Sequence, residues 1–519
     1  MYQSHIAATS LSARREGKPG PAPVVVEPRR WLSIARSYPA AMLACIAAIT
    51  AVRVVWLAVQ PADLYPDEAQ YWFWAKRLAF GYYSKPPLVA WLIAVTTGLF
   101  GDSEFAIRLS APFLHASTAI LLYAIGARVY EPRIGFWSAL GYAALPGASV
   151  SSFVISTDAP LVLCWAAALY AFIRAREEDR WRWWIAAGIA AGFGLLAKYA
   201  MTYWMLSALG FILFVRSERR HLAGLLAALG IALIIYSPNL WWNWGNGFVS
   251  YLHIRDNAEL GGFHFHPIQL LEFFGSQFGV FGPLFFAALI ALALQPRVLA
   301  EPRARLLAVF ALPTLGMLLV VSLLSRAEAN WAAPAYVSAT VLVVAWALQQ
   351  GWRAAVAFSI ALNLASAVVL FTGYQTLSAL GVQLPGRYDP LHRLRGWRQL
   401  GVEVSTELAR HPGFTLFADD RELVAALVYY VHPHPFDAVK WDLMARVKDQ
   451  WDLTNDMRKR IGDNFLLISG VPNLPDEMRP SFAALDPLTP IAIAAGPGET
   501  RVYGVYLACG FKGYPQYRH

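Results

Sequence analysis

Residues 64–87 read LYPDEAQYWFWAKRLAFGYYSKPP. Pro66 suits helix entry, and Asp67 and Glu68 then fall in the first turn, at the positive end of the helix dipole. The stretch 67–79 is too polar to cross a bilayer, yet it follows an apolar run at 40–59 that is long enough to do so. A polar helix placed there belongs at the membrane boundary, which its Tyr and Trp residues also suit. The following KPPLVAWLIAVTTGLF (85–100) reads as a second helix of about half a span. Both helices are expected to lie along the outer surface, with the aromatic side chains as an interfacial belt rather than a platform for a sugar.

Working outward, the 519-residue chain is 57% hydrophobic and only 15% charged. About a quarter charged is usual for a soluble protein, and the mean hydropathy is +0.42. Apolar blocks near 40–59, 104–126, 134–150, 158–173, 183–197, 200–215, 221–237, 279–295, 306–324, 331–349 and 354–374 approach the roughly 20 residues of a membrane helix. The expected fold is an α-helical polytopic membrane protein with about 11–13 transmembrane helices, juxtamembrane helices and a small C-terminal α/β domain. The net charge of +9 does not point to nucleic acid, because the Lys and Arg residues are spread over interhelical loops. Three cysteines, Cys45, Cys164 and Cys509, make no disulfide framework.

Short Arg-bearing loops at 127–133, 174–182, 216–221, 295–305 and 349–353 fall on one side when the spans alternate, together with the basic stretch 1–38, read as a flexible leader. The positive-inside rule puts that side in the cytoplasm. The other face then receives 60–103, 150–157, the turn at Lys198, 238–278, 325–330 and everything after about 375. A charge at mid-bilayer costs roughly 2.5–3.5 kcal/mol, so Asp158 and Lys198 at span ends avoid most of that. Arg53, within the first span, reaches an end or pairs inside the bundle. Residues 39–375 form the membrane domain. The tail, 376–519, alternates strand-like runs at 414–420, 464–471 and 502–508 with helix-like runs at 421–431 and 441–451, as a small α/β domain would.

The stretch YPDEAQYWFWAKRLAFGYYSKPPLVAWLIAVTTGLFGDSEFAIRLSA (65–111) resembles the first outer loop of the GT-C membrane glycosyltransferases, in the bacterial branch related to protein O-mannosyltransferases and the lipid A aminoarabinose transferase. STDAPLVLCW (156–165) resembles the second acidic motif of that family; SPNLWWNWGNGFVSYLH (237–253) and RAEANWAAPAY (326–336) resemble later motifs. The resemblance covers about residues 40–375. It implies inverting transfer of a sugar from a polyprenyl-phosphate donor to a lipid or glycan acceptor at the periplasmic face of a bacterial inner membrane, with no nucleotide sugar.

Such a displacement needs a base opposite the leaving group. Asp67 is the first candidate, with Glu68 beside it. The leaving lipid phosphate needs cations. Lys85 matches the family lysine proposed to contact that phosphate, and Arg326 and Lys198 are further candidates. Asp158 matches the second family acid, which positions the acceptor or orients Lys85; capping of the following helix is compatible with either role. Tyr65, Tyr82, Tyr83, Glu328 and Asn330 are candidate substrate contacts. Ser84 stands where some relatives carry a carboxylate that helps hold a metal. His264 and His266 are the remaining candidate ligands for a divalent metal, although no cofactor is required. A transporter of a lipid-linked sugar is the alternative function. No internal repeat and no mid-span charge ladder support it.

Overall fold

Each apolar block is helical in the computed structural model, which describes residues 28–60, 62–257, 265–382, 385, 388–442, 447–471, 474, 476, 478–496 and 499–514. The chain begins with α1 (Pro28–Val59), α2 (Pro66–Ala75), α3 (Leu88–Phe100), α4 (Glu104–Arg108), α5 (Ser110–Val129), α6 (Pro132–Ala144) and α7 (Pro146–Ser151). It continues with α8 (Asp158–Glu178), α9 (Trp181–Ala197), α10 (Met201–Phe214), α11 (Leu222–Gly245), α12 (Val249–Asn257), α13 (Pro267–Val280) and α14 (Pro283–Ala293). Then follow α15 (Pro296–Leu299), α16 (Pro302–Val309), α17 (Leu312–Leu324), α18 (Ala335–Gln349) and α19 (Arg353–Ala379). Prolines open α2, α6, α13, α14 and α16, where a missing N–H costs no hydrogen bond. α1 begins at Pro28, inside the stretch read as a leader; residues 1–27 lie outside the described residues.

Among the described residues, six stretches are long and apolar enough to cross a membrane: Ser37–Val59, Glu104–Val129, Asp158–Glu178, Arg216–Gly245, Pro302–Leu324 and Arg353–Ala379. α13 and α14, bent by 118°, make a seventh if counted as one span. Gly282 sits in that bend with φ +88°, and a Cβ there would lie 2.3 Å from the Asn363 side chain. The expected 11–13 full spans therefore resolve into fewer long helices and several short ones. α6, α10 and α18 have 13, 14 and 15 residues, about 20–23 Å at 1.5 Å per residue, against a hydrocarbon core of about 30 Å. They hold their places by packing. α18 is buried along nearly its whole length, and Gly135 of α6 lies so close to α5 that a Cβ would stand 2.4 Å from the Tyr123 carbonyl oxygen. Arg53 pairs inside the bundle, donating to the Ala143 carbonyl (2.6 Å) and to Ser149 Oγ (3.2 Å).

The five Arg-bearing loops meet at one end. Arg128 pairs with Glu177 (2.5 Å) and Arg176 with Glu218 (2.5 Å). Arg303 lies over Tyr130 and Arg353 over Trp137. The acids and bases singled out from the sequence gather at the opposite end, where the tail domain docks.

That domain contains α20 (Trp397–Arg410), β1 (Thr415–Ala418), α21 (Arg421–Tyr430), β2 (Val439–Lys440), α22 (Gln450–Thr454), β3 (Phe465–Ser469), β4 (Phe482–Pro487), β5 (Ile491–Gly496) and β6 (Glu499–Phe511). The sheet order is β2-β1-β3-β6-β4, with β5 also on β6; β1 runs parallel to β2 and β3, and β6 antiparallel to its neighbours. The helix expected at 441–451 is a correction. Residues 443–446 lie outside the described residues, and the helix starts only at Gln450, because Asp449 caps it by accepting from the Trp451 and Asp452 amides at 2.9 and 3.1 Å.

α2 is also not an interfacial belt. Trp72 meets Tyr429 (4.9 Å between ring centroids) and Phe436 (5.7 Å), and Phe73 stacks on Trp451 (5.1 Å). These rings bury their large apolar area between the bundle and the tail, a stronger driving force than a place among lipid headgroups. Tyr430 closes the joint by accepting the Leu64 N–H at 2.6 Å.

Candidate active site

Adjacent acids at the start of α2 take opposite directions. Glu68 turns inward and is fully buried against Arg108, which donates from Nη2 (2.7 Å) and Nε (2.9 Å); the Tyr65 and Ile155 amides complete its shell at 2.9 and 3.0 Å. With every acceptor direction filled by donors, Glu68 is a structural ion pair and does not line the cavity, which corrects its place beside Asp67 as a catalytic acid. Asp67, one residue earlier, faces a cavity of about 760 Å³ between the bundle end and the tail. Its Oδ1 accepts from Arg421 Nη1 at 2.8 Å.

Asp158 reaches the same cavity from the first position of α8. Lys198, at the end of α9, donates to its Oδ1 at 2.6 Å, and Asn330 donates to its Oδ2 at 2.6 Å. Three chain segments are thus tied through one carboxylate.

Lys85 lines the cavity too, and its ammonium makes no hydrogen bond or ion pair with any described residue. Burial, reinforced by Lys198, holds it below the ordinary lysine range. The loop carrying it is pinned from several sides: the Tyr83 amide donates to Gln450 Oε1 (2.9 Å), Ser250 donates to the Tyr82 carbonyl (2.8 Å), and the Tyr82 amide donates to the Lys85 carbonyl (3.1 Å).

Tyr65 and Tyr83 line the cavity, and Arg326 and Glu328 lie on its wall as an exposed pair 3.0 Å apart. Tyr82 does not. Its ring stacks on Trp74 at 4.6 Å and its hydroxyl donates to the Trp74 carbonyl, because this apolar slot offers the ring more contact than the polar cavity does. His264 lies outside the described residues, and His266 lies away from the cavity at the start of α13, its amide donating to the Leu323 carbonyl (2.7 Å). Among the described residues no three His, Cys, Asp or Glu side chains cluster as a metal site would require.

Sequence reasoning missed the tail's contribution. Arg393, Arg421, Lys448 and Asp449 all line the cavity. Arg421 and Lys448 follow the carboxyl ends of β1 and β2, where open sheets with parallel strands commonly bind ligands. The signal that was present is the polar run Asp419-Asp420-Arg421-Glu422 at that strand end. His253 of α12 also faces the cavity, and burial, with Lys85 and Arg421, pushes it down to about 4, so it is neutral at pH 7. A second cavity of about 400 Å³ shares Asp158, Glu328 and Asn330 and extends among the apolar side chains of α7, α13 and α18.

The family described as dolichyl-phosphate-mannose-protein mannosyltransferase matches residues 84–242. The lipid A galacturonosyltransferase RgtD of Rhizobium johnstonii is 32% identical over 393 residues, 75% of this chain and 82% of that protein. An undecaprenyl phosphate-alpha-4-amino-4-deoxy-L-arabinose arabinosyl transferase of Sodalis glossinidius is 30% identical over 153 residues, 26% of this chain and 27% of its own. Among solved structures, ArnT from Cupriavidus metallidurans bound to undecaprenyl phosphate is similar, with a TM-score of 0.59 and 16% identity, covering 94% of this chain and 100% of that one.

Proposed function

The chain belongs to the GT-C membrane glycosyltransferases, in the bacterial branch related to protein O-mannosyltransferases, and on that footing we propose that it transfers a uronic acid from a polyprenyl-phosphate carrier to a lipid A or core-type glycolipid at the periplasmic face of the inner membrane. The sugar class rests on RgtD, which aligns over most of both chains, whereas the aminoarabinose transferase aligns over about a quarter of each.

The observation that carries the reading is Lys85: a partly buried cation with no hydrogen bond or ion pair to any described residue, facing a cavity that also holds Asp67 and Asp158. An ammonium partly withdrawn from water and left unpaired is stabilised when an anion arrives to meet it. A donor phosphate is such an anion. In the reaction the acceptor hydroxyl oxygen attacks the anomeric carbon from the face opposite the phosphate. Asp67 takes the hydroxyl proton. The bond from that carbon to the phosphate oxygen breaks with its electron pair, and the released polyprenyl phosphate is held by Lys85. Asp158, fixed by Lys198 and Asn330, orients the acceptor. The apolar second cavity provides room for a lipid chain beside this centre.

The test is mass spectrometry of envelope glycolipids from cells with and without the protein. Loss of one uronic acid from a lipid A or core species on deletion, restored by the wild-type gene, is expected; identical glycolipids in both strains would overturn the assignment.

A further inference from the structure

Resting on that transfer reading, we propose that Arg421 is a positioning residue that aims the Asp67 carboxylate at the acceptor hydroxyl, so that the tail domain completes the catalytic site. Asp67 stands on the first turn of a ten-residue helix, where its side chain has no other hydrogen-bond or ion-pair partner among the described residues. Arg421 Nη1 bridges it to Gln70 Oε1 of the same helix, at 2.8 Å to each. The bridge leaves Asp67 Oδ2 with no hydrogen bond to any described residue, as a base needs. Arg421 itself is fixed from the tail: it is the first residue of α21, whose preceding Asp420 caps the helix by accepting from the Glu422 amide at 2.7 Å. Both bonds leave the one nitrogen, whose two hydrogens are held in the guanidinium plane; a lysine ammonium could reach the same acceptors but without that fixed plane. Misplacing a catalytic group by about 1 Å costs about 10²-fold in rate.

The experiment compares wild type with Arg421→Ala, Arg421→Lys and Gln70→Ala in detergent, reading kcat, KM for the polyprenyl-phosphate sugar, binding of undecaprenyl phosphate, and Tm. The expected result is a kcat lowered about 10²-fold in Arg421→Ala with donor KM and undecaprenyl phosphate binding within about twofold of wild type. Arg421→Lys should recover part of the rate, and Gln70→Ala should lose less than Arg421→Ala. If Arg421→Ala does not fold, Arg421→Lys and Gln70→Ala carry the comparison. Wild-type kcat in the folded variants overturns the proposal, as does a loss confined to Tm and donor KM. Absence of transfer by the wild-type protein would overturn the underlying reading instead, a result separable from either of these.

Discussion

Asp67 and Glu68 share a turn of helix and differ in what surrounds them. Glu68 is sealed with Arg108 at zero exposure. Replacing it by Gln leaves a buried guanidinium without its counter-charge, a change that typically costs about 3–5 kcal/mol. Glu68→Gln is therefore expected to lower Tm sharply in detergent, whereas Asp67→Asn, at a half-exposed position, should leave Tm nearly unchanged. Lys85 leads to a pH prediction. Its charged form is disfavoured by burial and by Lys198, so it loses its proton below the ordinary lysine value of 10.5. The neutral amine cannot offset a phosphate charge. Undecaprenyl phosphate binding should weaken as pH rises through that lowered value, and Lys85→Arg, which stays charged, should remove that limb from a binding titration. Binding by wild type that is flat up to pH 10.5 would count against the phosphate role.

At the scale of elements, α2 governs the assembly, because its two faces join the bundle to the tail. Trp72 is fully buried there, and Trp72→Ala should cost about 3–5 kcal/mol and expose the joint to limited proteolysis. Gly135 makes a similar demand within the bundle: Gly135→Val places a side chain where the Tyr123 carbonyl already stands 2.4 Å from the Cβ position, and should prevent recovery of a monodisperse protein. The start of α2 was legible in the sequence, since Pro66, Asp67 and Glu68 are local signals of a helix end. Its partners were not. Trp72 and Phe73 have the same composition whether they meet lipid or a protein domain, and the rings they meet, Tyr429 and Trp451, lie more than 300 residues further on. Asp67, Lys85 and Asp158 could be singled out because they interrupt apolar sequence or sit in ordered motifs. Arg421 could not, because an Arg after a strand in a polar domain looks like ordinary surface until the domain docks. Tyr82 and Glu68 were misplaced for the converse reason: nothing local shows which way a side chain turns.

The whole molecule is a polar cavity held between a membrane bundle and a small α/β domain, with the Arg-bearing loops at the far end. Agreement among five loops identified that end from sequence, and the pairs Arg128–Glu177 and Arg176–Glu218 join three of those loops in the fold. The number of full spans was less legible, because short helices such as α6 and α18 reach their depth through packing, which hydropathy does not record. With Cys45, Cys164 and Cys509 replaced, a cysteine at Thr406 should react with an impermeant reagent in intact spheroplasts, and one at Arg182 only after permeabilisation; the reverse pattern would invert the orientation. The most direct measurement is single-turnover transfer from undecaprenyl-phosphate galacturonic acid to lipid A by purified protein, wild type against Asp67→Asn. The account predicts transfer by wild type and none above background by the variant, which still binds undecaprenyl phosphate. Transfer by Asp67→Asn at the wild-type rate would contradict it.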